Sequence, residues 1–256
     1  NPLFIPPLLT GETLTAAPWT REFWSGVQTP VLGLNGTTPG PTIRLRRGET
    51  FSTRLVNNID ESLILHWHGV FAPAAMDGHP KYAIQPGQTF DYSFGVSQQA
   101  GTFFYHSHTH GKTARQVYMG LAGLFIIDDD EQDALGLPTG EFDVPLLLQD
   151  RRFDAQKNLL YNPEDSMHME GYLGDTALIN GTIDAELTVK RALYRFRLVN
   201  GSNARIYKIV VGNNHPFIMI ASDGGLLEKP VSMTSLFLSP GERAEVLVDF
   251  SAFAPG

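Results

Sequence analysis

The sequence predicts an all-β protein built as two tandem Greek-key β-sandwiches, and three observations carry that prediction. Gly (25) and Pro (17) punctuate the whole chain, so the apolar runs between them are short. Those runs are rich in β-branched and aromatic residues, which suit a half-buried pleated surface. A set of motifs in the first half also recurs, in the same order, in the second.

Residues 42–45, 51–57, 63–68, 89–96, 102–108 and 124–127 read as strands. Turn signals separate them: Pro39-Gly40-Pro41, Arg47-Gly48, Asn57-Asn58, Pro86-Gly87 and Ala100-Gly101. Strands at this spacing form a sandwich or barrel. Residues 113–119 read as a short helix with Thr113 as N-cap. The acidic run Asp128-Asp129-Asp130-Glu131 and then Gly136-Leu137-Pro138-Thr139-Gly140 read as a linker, dividing residues 1–135 from residues 136–256.

Beyond it the pattern restarts. Asn35-Gly36-Thr37 is echoed by Asn180-Gly181-Thr182, Arg54-Leu55-Val56-Asn57 by Arg197-Leu198-Val199-Asn200, and Pro86-Gly87-Gln88 by Pro240-Gly241-Glu242. The first copy holds two His-x-His pairs and the second none, so the chemistry is expected in the first copy and a structural role in the second. Ser222-Asp223-Gly224-Gly225 reads as a plain turn. In the first copy the strand at 89–96 is followed by strands at 102–108 and 124–127, whereas the sequence stops soon after the equivalent strand at 244–250. The second sandwich is therefore expected to be incomplete at its C-terminal end, in a chain that is the front part of something longer.

With 42% apolar and 18% charged residues the chain can build a packed core. A net charge of −8 argues against nucleic acid and against an anionic membrane surface. No apolar stretch approaches the roughly 20 residues of a membrane span. The absence of cysteine excludes disulfides, thiolate catalysis and thiolate-bound metal within these residues.

Five of the eight histidines lie in His66-Trp67-His68-Gly69 and His106-Ser107-His108-Thr109-His110-Gly111. On a strand, residues i and i+2 share a face. His66 and His68 therefore project together with Trp67 behind them, and His106 and His108 do the same from a second strand. Four converging imidazoles without thiolate suit Cu, Zn, Ni or Fe. His110 continues the alternation where the chain turns at Gly111, and reads as a surface or supporting residue. His79, His168 and His215 read as isolated surface or core residues, and Trp67 as packing. Asp77, in Met76-Asp77-Gly78, either forms a turn or returns to the cluster to bond a ligand or move protons. No nucleophile elbow or phosphate loop is present.

His66-Trp67-His68-Gly69 with His106-Ser107-His108 resembles the first two copper motifs of the multicopper oxidases. The run from His108 to Gln116, Met119-Gly120-Leu121-Ala122-Gly123, Ile220–Leu227 and Gly241-Glu242-Arg243 resemble the bacterial copper efflux (laccase-like, cuprous oxidase) branch. The resemblance covers the chain as cupredoxin-like domains one and two of three. It implies His66 as a type-2 copper ligand, His68, His106 and His108 as type-3 ligands, and Asp77 as the acid feeding protons to bound O2. It implies oxidation of Cu(I), phenols or aromatic amines, as small aromatic reductants, with four-electron reduction of O2 to water, and export to the periplasm with a part in copper homeostasis. The family's type-1 site needs a Cys, so that site and the remaining trinuclear ligands are expected in a third cupredoxin domain outside these residues. The alternative is a non-redox copper-binding or assembly protein. A related non-enzymatic branch keeps the fold and loses the histidines, which this chain retains.

Overall fold

The computed structural model describes residues 1–162 and 171–254, so His168 lies outside the described residues. The first sandwich packs two four-stranded sheets. One is ordered β2 (Val27–Leu34), β1 (Thr13–Trp24), β4 (Thr50–Asn57), β6 (Thr89–Gly95). The other is ordered β3 (Gly40–Arg46), β8 (Ala122–Asp128), β7 (Gly101–Ser107), β5 (Leu65–His68). Alternation along the strands supplies the core. Leu14, Leu55 and Phe51 from one sheet meet Ile43, Trp67, Tyr105 and Phe125 from the other.

The first two strands were not expected from the sequence. Pro18 lies inside β1 and Pro30 inside the edge strand β2, and proline normally argues against a strand interior. The helix α1 spans Thr113–Met119, but Lys112 is its N-cap; the Thr113 hydroxyl donates to the Thr109 carbonyl instead of capping. The acidic run lies between the two sandwiches and carries structure of its own. Asp128 ends β8 and accepts two bonds from Arg44 (2.6 and 2.9 Å), while Asp129 caps α2 (Asp130–Ala134) and accepts from the Ala100 and Gln132 amides.

The second cupredoxin-like domain carries a seven-stranded sheet. Its order is β11 (Thr182–Ile183), β10 (Thr176–Ile179), β9 (Asp143–Arg151), β12 (Leu193–Asn200), β17 (Arg243–Asp249), β14 (Phe217–Ser222), β15 (Gly225–Met233). A separate ribbon pairs β13 (Tyr207–Ile209) with β16 (Leu236–Leu238).

The repeated motifs occupy matching places. β4 runs parallel to β1 and antiparallel to β6; β12 runs parallel to β9 and antiparallel to β17. Asn35 and Asn180 both sit at positive φ, and each bonds the backbone of the neighbouring long strand through both ends of its amide. Asn57 and Asn200 each donate to two loop carbonyls and accept an amide two residues on.

A buried charge network joins the two sandwiches. The Arg197 guanidinium bonds both oxygens of Asp143 (2.6 and 3.0 Å) and reaches Glu245 (2.9 Å) and the Thr102 hydroxyl (3.1 Å). Arg195 holds the other Glu245 oxygen at 2.8 Å, and Arg44 from the first sandwich reaches Asp143 at 3.1 Å. The Arg195 and Arg197 side chains are 1% and 0% exposed, so removing one partner strands a charge out of water. Arg197→Met is expected to lower unfolding stability by about 3–5 kcal/mol in denaturant titration. Arg54→Ala, which breaks the fully exposed pair with Asp91, should leave the midpoint nearly unmoved.

Candidate metal centre

The centre is made by one strand pairing. β5 and β7 are antiparallel, with His66 directly opposite His106, Trp67 opposite Tyr105 and His68 opposite Phe104. The His108 amide bonds the Ile64 carbonyl (2.9 Å), extending the ladder one residue past β7. Trp67 and Tyr105 are fully buried in the core, and the imidazoles stand on the opposite face.

Ligand atoms of His66, His68 and His106 lie within 4.8 Å of one another. His108 stands beside His66, ring centroids 5.1 Å apart, outside that tight trio. Each ring is oriented. His66 Nδ1 donates to the Asp77 carbonyl (2.7 Å) and His106 Nδ1 to the Ser107 carbonyl (2.8 Å). A carbonyl only accepts, so both Nδ1 atoms carry the proton and both Nε2 atoms keep a lone pair. His68 Nδ1 faces His106 Nε2 at 3.2 Å, and the His68 ring stacks on Phe104 at 4.5 Å.

Burial, followed by Arg243 and then by His66 and His108, lowers the His68 pKa to about 4. Burial pushes His106 down to about 3, with the neighbouring imidazoles adding to it, and also lowers His108. These rings are therefore neutral, the form that binds metal.

Asp77 returns to the cluster. Its loop is anchored by the Trp67 indole, which donates to the Met76 carbonyl (2.9 Å). Gly78, at φ +76°, crosses the β5 backbone where a β-carbon would collide with the Leu65 carbonyl. The Asp77 Oδ1 atom lies 3.2 Å from His66 Nδ1, buried and without a hydrogen bond. His110 is exposed on the turn, His79 is exposed at a 3₁₀ cap, and His215 packs on Phe253. A cleft of about 470 Å³ opens against His68 and His106, walled by α1 and by second-domain residues including Ser202, Asn203 and Gly241.

Sequence reasoning missed the contribution of the second sandwich. Asp223 is no plain turn residue, because its carboxylate accepts the Arg243 amide (2.6 Å) and pairs with the guanidinium at 3.2 Å. A β-carbon on Gly241 would meet the His68 ring at 3.1 Å. The signal was present in Gly241-Glu242-Arg243, but its proximity to His68 is a tertiary fact.

Two family models, each described as multicopper oxidase, match residues 16–132 and 142–256. The chain belongs to the multicopper oxidase family. Multicopper oxidase mco of Staphylococcus aureus is 40% identical over 239 residues, 93% of this chain and 53% of that protein. Cell division protein FtsP of Proteus mirabilis is 37% identical, over 96% of this chain and 53% of that protein. The multicopper oxidase McoA of Aquifex aeolicus superimposes with a TM-score of 0.90 at 40% identity, covering 99% of this chain and 58% of that one. The chain thus spans about half the length of the curated relatives it matches.

The residues of this multicopper oxidase fit copper. Two imidazole nitrogens about 2.0–2.1 Å from one ion, at roughly 100°, sit about 3.1 Å apart. The His68 Nδ1 to His106 Nε2 separation of 3.2 Å matches that spacing. Without metal, a proton on His68 Nδ1 bridges the two rings, so the ion and that proton compete for the same atoms.

The depressed His68 and His106 pKa values make the unfolded chain the better proton binder below its ordinary histidine pKa near 6.5. Their contribution to stability is complete above that value and is lost as pH falls toward about 4 and then 3. The metal-free melting temperature is expected to fall across this window, and less steeply in His68→Gln/His106→Gln; calorimetry at stepped pH checks both slopes.

Proposed function

We propose that His66, His68, His106 and His108 are copper ligands of an oxygen-reducing centre: His66 of a type-2 ion, the other three of a type-3 pair. What supports this is the meeting of three oriented imidazoles at one point, with the fourth beside them, in a multicopper oxidase fold. The complete protein then oxidises Cu(I) or a small aromatic reductant such as a phenol or aromatic amine, and reduces O2 by four electrons to water. The remaining ligands and the type-1 site are assigned to a third cupredoxin domain of the same protein. Residues 1–135 form the copper-carrying domain and residues 136–256 its partner. Family likeness supports export to the periplasm; among the described residues no helix is long and apolar enough to cross a membrane.

Bound copper supplies one-electron redox chemistry and an oxygen-binding position. The protein's own residues do the rest. The Asp77 carbonyl and the Ser107 carbonyl fix the protonated nitrogens of His66 and His106, leaving the Nε2 atoms free to ligate. Phe104 stacks on the His68 ring, and Gly241 leaves room beside it. Water formation consumes a proton per electron, and Asp77 is the acid placed to deliver it. Its side chain is 38% exposed while Oδ1 is buried beside His66, so the carboxyl group can take a proton on its solvent side and pass it inward.

In the full-length protein, His106→Ala/His108→Ala is expected to lose bound copper by elemental analysis and to stop O2 consumption at an oxygen electrode; surviving turnover would sink the assignment. Asp77→Asn is expected to keep its copper and lose on the order of a hundredfold in kcat. Relatives named cell division protein FtsP, 36–38% identical, favour a second reading, a copper-binding or assembly protein on this fold. In that case the full-length protein binds copper and consumes no O2 with either class of reductant.

A further inference from the structure

Arg243 opens β17 in the second sandwich, yet its guanidinium lies against the first. Its Nε donates to the Thr102 carbonyl (3.2 Å), and the group sits 5.5 Å from the Phe103 ring centroid. Its Nη2 fills the space where a β-carbon on Gly69, the residue after His68, would stand. The side chain is 5% exposed. Its Nη1 also donates to the carbonyl of Gly241, where a β-carbon would stand 3.1 Å from the His68 ring. Among the described residues its one carboxylate partner is Asp223, which is half exposed and lies on the solvent side. The pair therefore directs its positive end at the metal centre and leaves its negative end in water.

We propose that Arg243 is a positioning residue of the copper centre, a fixed cation supplied by the second sandwich that biases the His68–His106 pair toward Cu(I) over Cu(II). This rests on the copper reading above. A buried positive charge repels a dication twice as strongly as a monocation at the same distance. Water screens Asp223, so it offsets only part of that repulsion.

Competition with chromophoric chelators for Cu(I) and for Cu(II) measures both dissociation constants of the full-length protein. Arg243→Gln is expected to tighten Cu(II) about tenfold and Cu(I) about threefold. Arg243→Lys keeps the charge and is expected to keep the native Cu(I)-to-Cu(II) ratio. Asp223→Asn removes the counter-charge and should weaken Cu(II), the opposite sign to Arg243→Gln. A purely structural role would weaken both ions in both neutralising variants, and that result overturns the proposal, as does an unchanged ratio. If Arg243→Gln fails to fold, Asp223→Asn decides: tighter or unchanged Cu(II) binding overturns it. Failure of the unaltered full-length protein to bind either ion overturns the copper reading itself; binding with no shift in ratio overturns only the role of Arg243.

Discussion

The pairing of β5 with β7 is the constraint on which both the core and the site depend. Side chains alternate across a strand, so one register decides two faces at once. With His66 opposite His106, Trp67 and Tyr105 must enter the core, where Trp67 meets Phe51 and Tyr92 edge-on at 4.7 Å each. A slip of one residue would put imidazoles into the apolar layer and an indole at the site. Core packing thus enforces the ligand geometry. The cost of burying neutral histidine is local, and the large aromatic area behind it holds the register against that cost.

The two sandwiches share a backbone plan and divide the labour. Positions that recur are those the backbone needs: Asn35 and Asn180 at positive φ, Asn57 and Asn200 closing loops through the same three bonds. Positions that differ carry the chemistry. Where the first copy has His66 on β5, nine residues past Asn57, the second has Ile209 on β13, nine residues past Asn200, and β13 carries no histidine.

The histidine pairs were legible because a strand's period of two is a local property. The repeats were legible for the same reason, since each Asn bonds backbone in a fixed local pattern. Strands β1 and β2 were not, because Pro18 and Pro30 break the pattern that marks a strand. The ion pairs of the acidic run were not legible, because the partner of Asp128, Arg44, is 84 residues away. Arg243 and Gly241 were assigned to a structural domain because nothing local says that β17 begins beside His68. Contacts between distant segments are what sequence pattern does not record, and those contacts tune the centre.

The buried network of Arg44, Arg195, Arg197, Asp128, Asp143 and Glu245 bears on that tuning. As a source of stability it is a poor choice, since an apolar plug of equal volume would hold the sandwiches at least as tightly. Apolar contact is non-directional, however, and leaves two curved sheets free to settle at several rotations. Directional bonds that cross between the sandwiches, from Arg44 to Asp143 (3.1 Å), from Arg197 to the Thr102 hydroxyl (3.1 Å) and from that hydroxyl to Glu245 (2.7 Å), favour one orientation. That orientation sets where Gly241 meets the His68 ring and where Arg243 lies behind Gly69. Thr102 makes the link in one residue: its hydroxyl bonds Arg197 and Glu245 in the network, and its carbonyl accepts from Arg243 beside the centre. The network is thus the frame that fixes the position of the second sandwich against the clustered histidines of the first.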